Sequence, residues 1–183
     1  MLADLAGLQG GELGRLIAED LASPSTMVDR IVPATTDADR AAISAALGFE
    51  DAWPVMTEPF SQWVIEDAFG GPAGLARPRF EDSGAELVQD VRAHEKMKLR
   101  LLNGTHSTMA YLGQLAGLPT IAEVVAKPAF ARFVRALMDQ ELGPTVPGFS
   151  PAALDAYKDA LFRRYANTAL KHGTAQILSL IHI

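Results

Sequence analysis

The stretch HEKMKLRLLNGTHSTMA, residues 94–110, places polar side chains inside an otherwise apolar helical pattern. In an α-helix that advances about 100° per residue, Lys98, Leu102 and His106 fall within an arc about 80° wide. Asn103 lies about 140° from Lys98 on the same helix. Because apolar neighbours such as Leu102 partly desolvate the lysine, its pKa is expected to be lowered. Lys98 therefore has the profile of a general base.

The same residues also have a purely structural interpretation. Lys98 can extend its ammonium group into solvent along an apolar surface. Asn103 and Gly104 can end a helix, and His106 can be a hydrogen-bonded histidine of the core. This stretch alone leaves both interpretations open.

Composition narrows the class of protein. The chain has 183 residues, of which 49% are hydrophobic and 21% are charged, and its net charge is −6. These values are typical of a globular protein, and the lack of a basic cluster argues against a nucleic-acid partner. The sequence has no run of about 18 apolar residues and no signal-peptide pattern at its start, so we expect a cytoplasmic protein without a membrane partner.

Metal chemistry is not expected. The sequence contains no cysteine, and its four histidines do not show the His-x3-His spacing of a metal site. We therefore expect any reaction to depend on oxygen and nitrogen groups, with no metal ligands.

Periodicity predicts a mainly helical second half. Helices are predicted at residues 2–21, 37–47, 94–117, 121–125, 128–142 and 151–165. Strand character is found at residues 26–32 and 85–91, with a bent extended segment at 52–67. Asp29 and Arg30 lie inside the first strand, where they form either a structural ion pair or a functional pair.

Three segments resemble the long-chain mannitol dehydrogenase family, which includes fructuronate and tagaturonate reductases and arabinitol dehydrogenases. They are LASPSTMVDRIVP at 21–33, TEPFSQWVIED at 57–67 and KLRLLNGTHS at 98–107. The third is similar to the family's Lys-x4-Asn-x2-His catalytic motif at full spacing. The resemblance extends from about residue 1 to residue 177.

The resemblance implies an oxidoreductase that uses NAD or NADP, without a metal, to interconvert a secondary alcohol and a ketone on a polyol or sugar acid. Lys98 would be the general acid/base, and Asn103 would donate a hydrogen bond to the developing alkoxide. His106 would bind a neighbouring substrate oxygen. Val28 and Asp29 would lie against the nicotinamide end of the cofactor.

The resemblance also implies a domain organisation. Residues 1–48 would be a remnant of the NAD-binding domain, and residues 49–177 would form the helical C-terminal substrate domain. The expected fold class is mainly α with a few short β-strands, of the type found in the C-terminal domain of 6-phosphogluconate dehydrogenase. The Gly-rich phosphate loop of the Rossmann domain and a second oxyanion-site asparagine are missing, so a chain truncated at both ends is expected to be inactive alone.

The C-terminal run ANTALKHGTAQI, residues 166–177, resembles the family's Asn-Pro-Ala-Leu-x-His-x-Thr-x-Gln-Ile segment. Gln176 lies where mannitol-type enzymes tend to carry a substrate-contacting arginine, so Gln176 is a predicted substrate contact. The substrate stays open between the mannitol/fructose and mannonate/fructuronate pairs. The final LSLIHI, residues 178–183, matches the in-frame translation of a sequencing adaptor and is predicted to be adaptor-derived.

One alternative to an enzyme is a stand-alone helical module that binds a sugar without catalysis. The oligomeric state is left open by the sequence.

Overall fold

The structure is a computed structural model that describes residues 11–69 and 77–181. The chain forms two compact units. One comprises the chain up to Val28 together with Gln62–Val91, and the other comprises Asp29–Ser61 together with the chain from Arg92 onward. The second unit contains all the predicted site residues except Val28.

The first unit contains a small sheet. Its three strands are β1 (Thr26–Asp29, whose last residue belongs to the second unit), β2 (Gln62–Glu66) and β3 (Glu86–Val88), in the order β1-β2-β3. Strands β2 and β3 run parallel. Apolar side chains of this unit, Met27, Val64 and Val91, form its buried core. The predicted strand character is therefore confirmed, over shorter spans than the sequence indicated.

The N-terminal helix is shorter in the described residues than the pattern predicts. Helix α1 (Gly11–Arg15) continues into a π-helical turn at Leu16–Asp20, and a 3-10 turn at Phe80–Ser83 precedes β3. The part of the predicted helix before residue 11 lies outside the described residues.

The second unit is helical. Its elements are α2 (Asp37–Leu47), α3 (Arg92–Met97), a π-helical turn (Lys98–Asn103), α4 (Gly104–Leu115), α5 (Ile121–Val125), α6 (Pro128–Leu137), a π-helical turn (Met138–Leu142), a 3-10 turn (Gly143–Thr145), α7 (Pro151–Tyr165) and α8 (Thr174–Ile181). Helices α2, α5 and α7 have the predicted bounds. Helix α2 begins with a capping box between Thr36 and Asp39 and ends at Gly48 with φ 76°, so its limits are set locally.

The segment from Arg92 to Leu115 is helical throughout, although its type changes at Lys98 and again at Gly104. Gly104 has helical angles, φ −59° and ψ −45°. The interpretation that Asn103 and Gly104 end a helix is therefore wrong. The chain leaves the helix after Leu115, and Gly117 adopts φ 67°.

Helix α8 was not expected from the sequence. Its first residue, Thr174, is buried and donates from Oγ1 to the carbonyl oxygen of Leu118 at 3.0 Å. Ile177 is buried in the core of the second unit, and Leu178 packs against that core. The adaptor origin of residues 178–183 stays a prediction. None of the helices in the described part of the chain has both the length and the apolar character of a membrane span.

Gly113 marks a close approach between helices. A Cβ atom at this position would lie 2.7 Å from Cγ2 of Thr174, 2.7 Å from Cγ2 of Val124 and 3.2 Å from the carbonyl oxygen of Leu118. At Gly104 the nearest atoms would be 3.8 Å away. The absence of a side chain at Gly113 therefore lets α4 pack directly against α5 and α8.

We expect Gly113→Ala to lower the free energy of unfolding by about 1–3 kcal/mol, because the added methyl group overpacks this contact. The matched control is Gly104→Ala, which adds the same methyl group to the same helix without a clash and should be neutral or stabilising. The midpoints of urea unfolding curves measure both effects. Equal midpoints for the two variants would contradict the packing described for Gly113.

Candidate functional site

The Lys-x4-Asn part of the motif coincides with the π-helical turn Lys98–Asn103. The backbone N–H of Gly104 donates to the carbonyl oxygen of Leu99, five residues earlier. A turn with this hydrogen-bond spacing contains more residues than an α-helical turn, so residues five apart lie closer to one face. The side chains of Lys98 and Asn103 are therefore separated by a smaller angle around the helix axis than they would be in an α-helix. Single π-helical turns inside α-helices are frequent at functional sites.

The three motif residues differ in burial. Lys98 is half-buried, Asn103 is exposed and His106 is buried, with 7% of its surface exposed. Leu102 and Met109 are buried, as the helical pattern indicated. Lys98 therefore lies at the boundary between the apolar core and the surface.

His106 lies between two other rings. Its centroid is 4.9 Å from that of Tyr165 and 5.0 Å from that of His172, and the two imidazoles are nearly perpendicular. Nε2 of His106 and Nδ1 of His172 are buried and have no hydrogen-bond partner among the described residues. Among the described residues, one ring nitrogen of His106 therefore lacks the hydrogen bond that the core-histidine interpretation requires, and that interpretation stays a prediction.

Burial also decides the charge of these imidazoles. Loss of solvent lowers the pKa of His106 to about 3, with smaller contributions from His172 and the positive charge of Arg164. Burial lowers the pKa of His172 as well, although the negative charge of Glu58 opposes that shift. His106 is therefore neutral at physiological pH, and the pKa shift of His172 also favours its neutral form.

The two histidines face a small pocket in the second unit. Its wall consists of Ile31, His106, Ile121, Ala122, Arg164, Tyr165, Asn167, Leu170 and His172. The cavity has a volume of about 10 Å³, which is room for about one water molecule.

Arg164 contributes a buried charge to this pocket. Its NH1 and NH2 atoms donate to the two carboxylate oxygens of Asp29 at 2.8 and 2.9 Å. Its Nε and NH2 atoms donate to the carboxylate of Glu58 at 2.8–3.2 Å. The guanidinium also lies 4.0 Å from the ring centroid of Phe60. We call Arg164, Asp29 and Glu58 the Arg164 cluster.

The cluster is almost completely enclosed. Asp29 and Glu58 are each 2% exposed, and Arg164 is 8% exposed. Burial alone would lower the pKa of Arg164, but the hydrogen bonds and negative charges of both carboxylates outweigh it, and the net effect raises that pKa. Glu58 is further held by the backbone N–H of Ile31, which donates to its carboxylate at 2.6 Å. Buried charges of this kind are retained only when they are paired and hydrogen-bonded.

The structure changes the interpretation of Asp29 and Arg30. The ion pair of Asp29 is formed with Arg164, whereas the Nε atom of Arg30 donates to the backbone carbonyl of Glu58 at 3.0 Å. Glu58 and Arg164 were not identified as site residues from the sequence. Glu58 lies within the second family-like segment, but nothing in a single sequence shows that Arg164 is buried at the end of α7.

Lys98, Asn103 and Gln176 are not among the residues that line this pocket. Val28 is 59% exposed on β1, and Gln176 is half-buried on α8. The cofactor roles of Val28 and Asp29 and the substrate role of Gln176 stay predictions. Among the described residues there is no group of His, Asp and Glu side chains that could bind a metal ion.

Loss of the buried guanidinium is expected to destabilise the protein strongly. Arg164→Met leaves two enclosed carboxylates without a cation, a change that costs about 3–5 kcal/mol in buried ion pairs. Arg163→Met is the matched control, since Arg163 precedes Arg164 on α7 but is exposed. Urea unfolding of the purified protein measures the difference. If both variants lie within about 0.5 kcal/mol of the parent, the cluster does not stabilise the fold.

Comparison with known proteins identifies the family to which the chain is similar. Residues 90–179 match the model of the mannitol dehydrogenase C-terminal domain, and residues 5–74 match the model of the mannitol dehydrogenase Rossmann domain. The predicted boundary after residue 48 stays a prediction.

Curated relatives and solved structures agree. The mannitol 2-dehydrogenases of Aspergillus fumigatus and Aspergillus terreus are each 44% identical over 93% of this chain, which spans 34% of their length. The ternary complex of Pseudomonas fluorescens mannitol 2-dehydrogenase with NAD and D-mannitol superposes with a TM-score of 0.79 and 37% identity, over 96% of this chain and 35% of that protein. A substrate-free D-sorbitol dehydrogenase has a TM-score of 0.82 and 30% identity, with the same coverage.

The chain thus spans about a third of the length of its curated relatives. The two family models together match most of its residues, and the solved relatives share its fold. The chain belongs to the mannitol dehydrogenase family.

Proposed function

We propose that the full-length protein carrying this chain is an NAD-dependent dehydrogenase that interconverts a polyol and a ketose of the mannitol/fructose type. The observation that carries the proposal is the complete Lys-x4-Asn-x2-His motif, at Lys98, Asn103 and His106, within the region that matches the mannitol dehydrogenase C-terminal domain. The relative from Pseudomonas fluorescens binds NAD and D-mannitol together, which supports both the cofactor and the substrate class.

The described residues are compatible with a bound nicotinamide cofactor. The exposed Val28 side chain, at β1, offers an apolar contact for the nicotinamide ring. Asp29 would act at this position chiefly by holding the end of β1, because both its carboxylate oxygens accept hydrogen bonds from Arg164. A bound nicotinamide cofactor would supply the acceptor for the hydride of the alcohol carbon.

The proton transfer is assigned to Lys98. Nζ of Lys98 takes the proton of the reacting hydroxyl while the carbon–oxygen bond gains its double-bond character. The side-chain amide of Asn103 donates a hydrogen bond to the same oxygen as negative charge develops on it. The π-helical turn supports this pairing, since it brings these two residues toward one face. In the reverse direction Lys98 returns the proton to the ketone oxygen.

His106 has a different role in the proposal. Nε2 of His106, which has no hydrogen-bond partner among the described residues, would bind a substrate hydroxyl away from the reacting carbon. This contact would fix the orientation of the substrate, and correct orientation of the reacting groups is a large part of catalysis.

Hexuronate reduction is the second candidate, because the family resemblance includes fructuronate reductases and Gln176 carries no charge that would commit the site to either substrate class. Comparison of D-mannitol with D-mannonate as substrates separates the two candidates. A protein that binds these compounds without forming NADH would instead be the non-catalytic binding module.

Removal of the proposed base should abolish most of the activity. We expect Lys98→Ala to reduce kcat for D-mannitol at least about a hundredfold, with little change in the KM for NAD, because general acid/base groups contribute about 10²–10⁴ in rate. The control Lys96→Ala removes an exposed lysine two residues earlier on α3 and should retain activity. NADH absorbance reports the rates. Lys98→Ala with the activity of the Lys96→Ala control would show that Lys98 is not the base.

A further inference from the structure

We propose that Thr105 is a positioning residue, whose buried hydroxyl holds the π-helical turn that presents Lys98 and Asn103 to the reacting oxygen. This inference rests on the proposed function and deepens it with a residue that the Lys-x4-Asn-x2-His motif leaves undefined. Because the side chain of Thr105 is fully buried, we assign it no contact with the substrate. Its effect on the reaction is exerted through the backbone of the turn.

The first step is the hydrogen-bond pattern of the turn. The backbone N–H of Gly104 donates to the carbonyl oxygen of Leu99, five residues earlier, whereas an α-helical donor reaches four residues back. Where the spacing returns from five residues to four, the succession of N–H donors passes over one carbonyl oxygen. A buried carbonyl oxygen needs a hydrogen-bond partner. A side-chain hydroxyl that donates to a carbonyl of the turn can therefore replace a missing N–H.

Thr105 supplies such a hydroxyl. Its Oγ1 atom lies 2.5 Å from the carbonyl oxygen of Leu101 and 3.2 Å from that of Leu102, and both leucines belong to the turn. All three residues are buried, so bulk water does not reach these oxygens. Loss of the hydroxyl would leave a carbonyl of the turn without this donor, and an unsatisfied buried acceptor destabilises the conformation that contains it.

The second partner of the hydroxyl is Tyr165, the last residue of α7. Its phenolic oxygen lies 2.8 Å from Oγ1 of Thr105. The threonine hydroxyl has one proton, which it donates to the turn, so the tyrosine donates to the threonine. Burial raises the pKa of Tyr165, and the phenol therefore keeps that proton. Two hydrogen bonds in series thus connect α7 through Thr105 to Leu101, and bonds in such a series strengthen one another.

This connection attaches the turn to a fixed part of the second unit. Tyr165 directly follows Arg164, whose guanidinium is held by the buried carboxylates of the Arg164 cluster. The tyrosine ring also contacts His106, with 4.9 Å between the ring centroids. Without the Thr105 hydroxyl, the turn is expected to relax toward α-helical spacing. That change would widen the angle between the first two motif side chains and misplace them at the reacting oxygen.

The same helix offers a matched comparison at Thr108. Oγ1 of Thr108 donates to the carbonyl oxygen of Gly104, four residues earlier, at 2.9 Å. This is the bond that Thr105 makes to Leu101, repeated three residues later. Gly104, however, follows the π-helical turn, and Thr108 is only half-buried. Thr108→Val therefore removes a hydroxyl of the same kind without removing a donor to the turn.

The test measures D-mannitol oxidation by the full-length protein, with the folded fraction of each variant determined by circular dichroism. We expect Thr105→Val, which keeps the shape of the side chain, to lower kcat per folded molecule at least about tenfold, with the KM for NAD changed less than about threefold. Thr105→Ser retains the hydroxyl and should recover most of the loss, whereas Thr108→Val should keep the parental kcat. A kcat for Thr105→Val within about twofold of that of Thr108→Val would overturn the assignment.

A double variant keeps the test decisive if Thr105→Val folds poorly. The single substitution leaves the buried Tyr165 hydroxyl without its nearest partner, whereas Thr105→Val combined with Tyr165→Phe removes both polar groups. Replacement of both partners by apolar groups is tolerated better than loss of one. The double variant should therefore fold and still have a low kcat. The parental kcat in the folded double variant would overturn the assignment.

Amide hydrogen exchange separates failure of this inference from failure of the proposed function, since it needs no substrate. The amides of residues 101–106 should exchange at least about tenfold faster in Thr105→Val than in the parent protein, and Thr108→Val should leave them unchanged. If the parent does not oxidise D-mannitol, the dehydrogenase assignment is wrong, and faster exchange still supports the role of Thr105 in the turn. Unchanged exchange in Thr105→Val, with an active parent, would refute the role of Thr105.

Discussion

The buried guanidinium of Arg164 is the constraint on which the second unit depends. It binds Asp29 and Glu58, which lie 135 and 106 residues earlier in the sequence. Each carboxylate is enclosed. If the segment after β1 or the segment around residue 58 moved away from α7, a buried charge would lose its ion-pair partner. The cluster therefore joins distant parts of the chain, and it does so in the wall of the pocket that contains His106.

Two local features of the backbone position the side chains of Lys98, Asn103 and His172. The π-helical turn Lys98–Asn103 replaces what would otherwise be an α-helical turn, and it alters the directions of the two residues that the proposal assigns to the reacting oxygen. Gly113 then allows α4 to lie against α8, and the segment that leads into α8 carries His172 to a position beside His106. Substrate contacts and proton transfer are thus assigned to adjacent turns of one helical segment, supported from outside by the Arg164 cluster.

Much of this arrangement could be predicted from the sequence. The capping signals at Thr36 and the prolines at the starts of α6 and α7 are local, so the predicted starts of these helices agree with the structure. The motif beginning at Lys98 was recognisable because its residues are close in sequence. The π-helical turn was not predictable, since an apolar periodicity does not distinguish it from an α-helix. Nor were the Arg164 cluster and the His106–His172 contact, because both join residues that are far apart in the chain.

The central claim is that a polyol binds with its reacting hydroxyl at Lys98. A crystal structure of the full-length protein with NAD and D-mannitol tests it most directly. The account predicts the reacting oxygen within about 3.2 Å of both Nζ of Lys98 and the side-chain amide of Asn103. A polyol bound with its reacting carbon remote from Lys98 would contradict it.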